Sequence, residues 1–177
     1  MRHLIVITTI ALLSWFVLVE DVNADSDSFG EIYIEGGYKE ISKAVQDSEE
    51  HFKRPIALPT QVPPVPFTHS MGRFTDLEGT ENDYLEVFFI NKDLPQNHYT
   101  IRIRPIEYRL AIREEQIDRN IKLEDGFWSI YTTKIFSGVN VLVFEKDGWQ
   151  YILSIDKRIS DNVTEEILVS IANSITS

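Results

Sequence analysis

The sequence predicts an α+β fold in which an antiparallel sheet of about five to six strands is packed against an N-terminal and a C-terminal amphipathic helix. Apolar residues recur at helical spacing within residues 38–52 and again within residues 163–175. Between these segments, from Gly72 to Asp156, the pattern changes to alternating and β-branched runs that are typical of strands. Hydrophobic residues make up 43% of the chain, which favours a packed globular domain. Helices at both ends of a sheet-forming chain predict a layered α+β architecture.

Residues 1–24 have the pattern of a signal peptide. A short polar start precedes an apolar run from Leu4 to Val19, and Ala24 supplies the small residue that signal peptidase needs. The run is short for a bilayer-spanning helix, so we expect cleavage after Ala24, secretion to an extracytoplasmic location and no stable membrane insertion afterwards. An uncleaved segment that anchors the protein in the membrane is the alternative. Residues 25–36 then form a short N-terminal extension, and residues 37–177 form a single α+β domain.

The charge and the cysteine count exclude several classes of partner and site. The net charge is −11, and no more than two basic residues are adjacent, so we expect no nucleic-acid partner. The same charge disfavours docking on anionic lipid headgroups. The chain has no cysteine, which excludes disulfides, thiolate metal sites, cysteine nucleophiles and a lipid-bearing cysteine. We expect a monomer.

The first helix is expected after a short extended piece and before Pro55, since a residue that precedes proline is pushed away from helical geometry. Its apolar stripe consists of Tyr38, Ile41, Val45, Ser48 and Phe52. Five of the seven prolines then lie between residues 55 and 66. This Pro-rich segment is predicted to run extended along the edge of the domain. A ligand segment for a proline-recognising domain is the alternative, disfavoured because the segment is rich in apolar residues.

Strands are predicted in the segments DYLEVFFIN, YTIRIR, DGFWSIYTTKI, NVLVFE and WQYILSI. The segment IEYRLAIR, after Pro105, either continues as an edge strand or bends away. Turns are predicted at Asp125-Gly126, Ser137-Gly138 and Asp147-Gly148. The closing helix is expected to be capped by Asp161 or Asn162. Its apolar stripe consists of Val163, Ile167, Leu168, Ile171, Ala172 and Ile175.

The last hairpin predicts two apolar sheet faces. A two-residue loop at Asp147-Gly148 places Phe144 opposite Tyr151. One face then carries Leu142, Phe144, Tyr151, Leu153 and Ile155, and the other carries Val139, Val141, Val143 and Ile152. We expect the closing helix to cover the first face, and the first helix with the Pro-rich segment to cover the second. A ligand groove on the second face is the alternative.

Two stretches of the chain stand out together. They are KRPIALPTQVP, which follows the first amphipathic helix, and FEKDGWQYILSIDKRISDNVTEEILVSIANSI, which closes the chain. They resemble an uncharacterised domain family of exported proteins and lipoproteins of Gram-positive spore-forming bacteria, over most of residues 37–175. The resemblance implies a sheet distantly like that of lipoprotein carriers, with no assigned function or site residues. The chain lacks the lipid-bearing cysteine, so lipid anchoring at the cell surface is not expected.

No catalytic signature is present. The chain has no HExxH or GxSxG motif, no phosphate-binding glycine loop and no calcium loop. His51, His69 and His98 are widely spaced, so we expect no metal site and no cofactor. The segment DSEEH, residues 47–51, is interpreted as a solvated helix face.

Arginines supply the one candidate anion site. Arg102 and Arg104 lie on one face of a predicted strand, and guanidinium groups bind carboxylates and phosphates. The alternative is that they pair with acidic neighbours such as Glu86 on an adjoining strand. The candidate ligand or anion contacts are therefore Arg102, Arg104, Val141 and Val143.

Together these patterns predict an exported, non-enzymatic accessory protein of the cell envelope that acts by binding an envelope protein or a lipid. The alternative is a carrier or sensor of a small apolar or lipid ligand on one sheet face. A hydrolase with Glu86 and Glu107 as catalytic carboxylates is disfavoured, because any acidic chain offers such pairs.

Overall fold

The structure, a computed structural model, describes residues 28–176; the predicted signal peptide and its cleavage site lie outside the described residues. The helices are α1 (Ser28–Glu35), α2 (Ile41–Phe52) and α3 (Glu165–Asn173). The strands are β1 (His69–Thr75), β2 (Tyr84–Ile90), β3 (His98–Pro105), β4 (Arg119–Lys122), β5 (Trp128–Thr132), β6 (Val139–Lys146) and β7 (Trp149–Asp156). Among residues 28–176, no helix has the length and apolar character needed to cross a membrane.

All seven strands form one antiparallel sheet in the order β1-β2-β3-β7-β6-β5-β4. The predicted α+β class is confirmed, with one strand more than the upper expectation. The two strands that the sequence did not single out are the edge strands β1 and β4. The sequence of β4, RNIK, is short and mostly exposed, so it lacks the alternation that marks a strand with one buried face.

The last hairpin has the predicted register. Asp147 and Gly148 both have positive φ, as a two-residue turn that matches the strand twist requires. Phe144 pairs with Tyr151, and the two rings stack at 5.1 Å. We call the sheet face that carries these two rings the core face, and the opposite one the second face.

The core face is covered by α2, α3 and the Pro-rich segment together. Ala44 of α2 and Leu168, Ile171 and Ala172 of α3 are buried against this face. The Pro-rich segment is fixed by its carbonyl groups, because Trp149 Nε1 donates to Pro55 O and the Tyr151 hydroxyl donates to Ala57 O, both at 2.9 Å. Prolines have no N–H to donate to a strand, but the carbonyl groups of this segment, including that of Pro55, accept hydrogen bonds from buried aromatic donors.

The expectation that α2 and the Pro-rich segment cover the second face is therefore wrong. The segment IEYRLAIR bends away after β3 instead, and brings Leu110 and Ile112 onto Val141, Val143 and Ile152 of the second face. Gln150 holds this segment with both ends of its amide, since Oε1 accepts from Leu110 N at 2.7 Å and Nε2 donates to Leu110 O at 3.1 Å.

Three local expectations are also corrected. The expected extended piece before the first long helix is helical, as α1, and its Phe29 and Tyr33 rings contact His69 and Phe88. Tyr38 precedes α2 rather than joining its stripe, because Lys39 forms a β-bridge with Gly72. The residue before α3 is Thr164, not Asp161 or Asn162, because the buried Val163 belongs to the turn before the helix.

Candidate functional site

All four residues singled out from the sequence share the second face. Arg102 and Arg104 lie on β3, and Val141 and Val143 lie on β6. One row of cross-strand pairs links Arg102 to Val143: Glu86 pairs with Arg102, Arg102 with Ile152, and Ile152 with Val143. Because neighbouring strands are about 4.8 Å apart, the backbones of Arg102 and Val143 are about 10 Å apart. The face is therefore charged at β2 and β3 and apolar at β6.

The charged half of the second face is built around Glu86. This carboxylate is only 3% exposed, and its Oε2 accepts from Arg102 Nε at 2.6 Å. Arg73 Nη2 lies 3.5 Å from Oε1, and the Tyr38 hydroxyl also donates to Oε1. Burial and this carboxylate raise the pKa of the Tyr38 hydroxyl. The alternative interpretation of Arg102, pairing with Glu86 rather than with a free anion, is thus the arrangement observed.

Arg104 differs from Arg102. Its guanidinium lies 5.8 Å from the Tyr84 ring centre, and its buried Nε has no hydrogen-bond partner among the described residues. Burial and the neighbouring Arg102 lower the pKa of Arg104. The other arginines near this strand are in surface pairs, Arg109 with Glu145 and Arg113 with Glu115.

The side chains of Val141 and Val143 are buried, so neither is fully accessible to a ligand. Val141 is 0% exposed and Val143 is 3% exposed beneath Leu110, Ile112 and Ile135. The second face is thus closed over its centre by the chain itself, as the sequence-based expectation of self-packing proposed, although by a different segment. Only Val143 also reaches an open space.

That space is a groove beside the covering segment, which we call the Trp128 groove. Its volume is about 540 Å³. Its apolar lining includes Leu110, Ala111, Ile112, Trp128, Ile130 and Val143. Polar side chains border it, namely Arg109, Asn120, Glu145 and Gln150. The groove is lined about equally by polar and apolar surface, so it can accept a small molecule that carries both kinds of group.

Two aromatic side chains at this groove face solvent. Trp128 is 63% exposed and Phe127 is 56% exposed. They directly follow Gly126, whose φ of 91° belongs to the turn before β5. In the sequence, the DGFW segment indicates only a turn followed by a strand. The adjacent aromatics after a turn glycine were the available signal for an exposed apolar surface.

A second, smaller cavity of about 280 Å³ lies on the same face at the other side of the covering segment. It combines Arg102 and His98 with the apolar residues Phe136, Val139 and Ile152. The Arg102 guanidinium is paired with Glu86, so it does not offer an unpaired positive charge to a ligand in this cavity.

The carboxylates of the disfavoured hydrolase alternative have separate partners. Glu86 is buried and bound by two arginines, whereas Glu107 is exposed and pairs with Arg54 at 3.3 Å. A hydrogen bond from its own backbone and the Arg54 guanidinium lower the pKa of Glu107. A general acid in a glycosidase needs a raised pKa, and the pKa of Glu107 is shifted in the opposite direction.

Comparison of the chain with models of protein families, with curated proteins and with solved structures found no match. The resemblance to the domain family of spore-forming bacteria therefore stays a prediction.

Proposed function

We propose that this protein is an exported, non-enzymatic protein of the cell envelope that binds a small apolar or lipid-like molecule in the Trp128 groove. The observation that carries the proposal is the combination of a groove of about 540 Å³, lined by apolar and polar side chains, with a solvent-exposed tryptophan in that lining. A ligand that covers this solvent-exposed aromatic ring removes apolar surface from water, and this burial favours binding.

The shape of the groove favours a small molecule over a protein partner. Its volume falls within the usual range for small-molecule sites, roughly 300–1,000 Å³. Protein interfaces instead bury about 800 Å² on each partner and are flatter. The occupant that fits is one acyl chain or a compact apolar molecule.

The polar border sets the orientation of such a ligand. Arg109 and Glu145 form an ion pair at 3.6 Å on the border, and both side chains are about half exposed. Asn120 and Gln150 offer neutral hydrogen-bonding groups. With both charges paired, a neutral polar head such as a hydroxyl is matched better than a carboxylate.

A displacement assay tests this proposal. The environment-sensitive dye ANS is bound to the mature protein and displaced by decanol, with lauric acid as the charged counterpart. Ile130→Glu places a carboxylate in the groove and should weaken dye and decanol binding by about tenfold or more. Ile32→Glu makes the same change at a side chain that is 68% exposed on α1, and should bind as the unmodified protein does.

The two variants separate the outcomes. Equal binding by Ile130→Glu and Ile32→Glu would show that the dye uses another surface. Because Ile130→Glu alters a partly buried position in the middle of β5, Trp128→Ser provides a second variant, at the exposed first residue of that strand, and should weaken binding without lowering the melting temperature.

A further inference from the structure

Three potential metal ligands meet at one end of the core face, away from the Trp128 groove. His51 is near the end of α2, Asp76 directly follows β1, and Asp83 directly precedes β2. One ligand atom from each residue lies within 4.8 Å of the other two. Nε2 of His51 lies 3.0 Å from Oδ2 of Asp83. The interpretation of residues 47–51 as a solvated helix face is therefore wrong for His51.

Asp83 carries the evidence that this cluster is built for a ligand. Its side chain is 1% exposed, and Oδ1 accepts a hydrogen bond from Leu77 N at 2.8 Å. Oδ2 is buried and makes no hydrogen bond with any described residue. Its polar neighbour His51 Nε2, 3.0 Å away, does not have hydrogen-bond geometry, so a cation between the two side chains would supply the missing interaction.

The neighbouring residues hold the imidazole in place. The His51 ring makes an edge contact with Phe52 at 4.8 Å and packs on Phe74 at 4.9 Å. The hydrogen bond from Leu77 fixes the Asp83 carboxylate within the same loop that carries Asp76. Asp76 is exposed, so its side chain can adjust to complete the coordination.

We propose that His51, Asp76 and Asp83 bind a divalent transition-metal ion, with Zn²⁺ as the best match. One imidazole nitrogen and two carboxylate oxygens are a ligand set that Zn²⁺ accepts, and three protein ligands leave its fourth position to water. Mg²⁺ and Ca²⁺ prefer sites made of oxygen alone. The bound ion would join α2 to the β1–β2 connection, and this inference is independent of the groove.

Titration of the mature protein with Zn²⁺ in a chelator-free buffer tests the site, by calorimetry and by thermal melts. We expect saturable binding of one ion and a rise in melting temperature, with no rise in Mg²⁺. Asp76→Asn and His51→Gln should weaken Zn²⁺ binding by roughly a hundredfold or more. Glu78→Gln is the matched control, since it removes an exposed carboxylate from the same loop and should bind as the unmodified protein does.

Two results would overturn the proposal. One is the absence of a Zn²⁺-dependent rise in melting temperature in the unmodified protein. The other is Zn²⁺ binding by Asp76→Asn as tight as in Glu78→Gln, which would place the ion elsewhere on this acidic protein. Asp76 is exposed, so its variant is expected to fold even where a variant of His51 does not.

Discussion

Arg102 on β3 donates from Nε to Oε2 of Glu86 on β2 at 2.6 Å, and the two residues are direct cross-strand partners. The carboxylate is almost completely buried, whereas the Arg102 side chain remains 41% exposed. The same carboxylate accepts a hydrogen bond from the Tyr38 hydroxyl at Oε1, which holds the segment before α2 against the sheet.

Loss of the Glu86 carboxylate should destabilise the protein measurably. Glu86→Gln leaves Arg73 and Arg102 beside a neutral group, and we expect the free energy of unfolding to fall by about 1–3 kcal/mol in urea titrations. Glu107→Gln is the control, because Glu107 forms an exposed pair with Arg54 and should cost at most about 1 kcal/mol. Equal losses in the two variants would contradict the central position given to Glu86.

The closing helix should prove a core element. Ile171 is 1% exposed on the core face, so Ile171→Ala should lower the free energy of unfolding by about 2–5 kcal/mol. Ile167 is only partly buried against the same cluster, and Ile167→Ala should cost clearly less. An unchanged unfolding midpoint for Ile171→Ala would refute the packing of α3 on the sheet.

The closed centre of the second face gives a further prediction. Val141→Asp would put a carboxylate at a fully buried position beneath the covering segment, so unfolding should become easier by several kcal/mol. Val62→Asp, at a side chain that is 45% exposed, should change stability little. The melting temperatures of the two variants test this prediction. A Val141→Asp protein as stable as Val62→Asp would mean that water reaches this face.

Acid should weaken the fold through Asp156. Hydrogen bonds from the Arg158 side chain lower the pKa of this largely buried carboxyl. A carboxyl whose pKa is lowered in the folded state stabilises the protein fully at pH values above the pKa of the unfolded state, about 3.9. This stabilisation is lost as the pH falls below that value towards the pKa of the folded state. Asp156→Asn should therefore be less stable at neutral pH and lose less stability between about pH 5 and pH 2.

The control for this pH dependence is Asp161→Asn, at an exposed position. It should keep the acid dependence of the unmodified protein. Free energies of unfolding measured across the acid range compare the three proteins, and a slope for Asp156→Asn identical to that of Asp161→Asn would refute the assignment.

The features that the sequence predicted are those with local causes. The Asp147-Gly148 turn sets the hairpin register, and that register decides which residues share a face. The stripe of α3 follows from helical periodicity in the same way, with Ile171 and Leu168 buried as expected.

The features that it missed depend on long-range packing. Leu110 and Ile112 alternate like strand residues, and nothing local shows that their segment folds back over β6 and β7. His51 and Asp83 are far apart in sequence and meet only because α2 packs beside β1 and β2. The groove likewise forms only because the covering segment lies next to Trp128 and Ile130 of β5.

Native mass spectrometry of the protein purified from its own host tests the central claim, binding at the Trp128 groove, most directly. We expect the mature chain to carry a small organic molecule that gentle activation releases. Ala111→Trp, which fills the groove from an exposed position, should abolish this added mass, whereas Val62→Trp outside the groove should retain it. A bare chain, a protein partner in place of the small molecule, or the same added mass in Ala111→Trp would contradict the account.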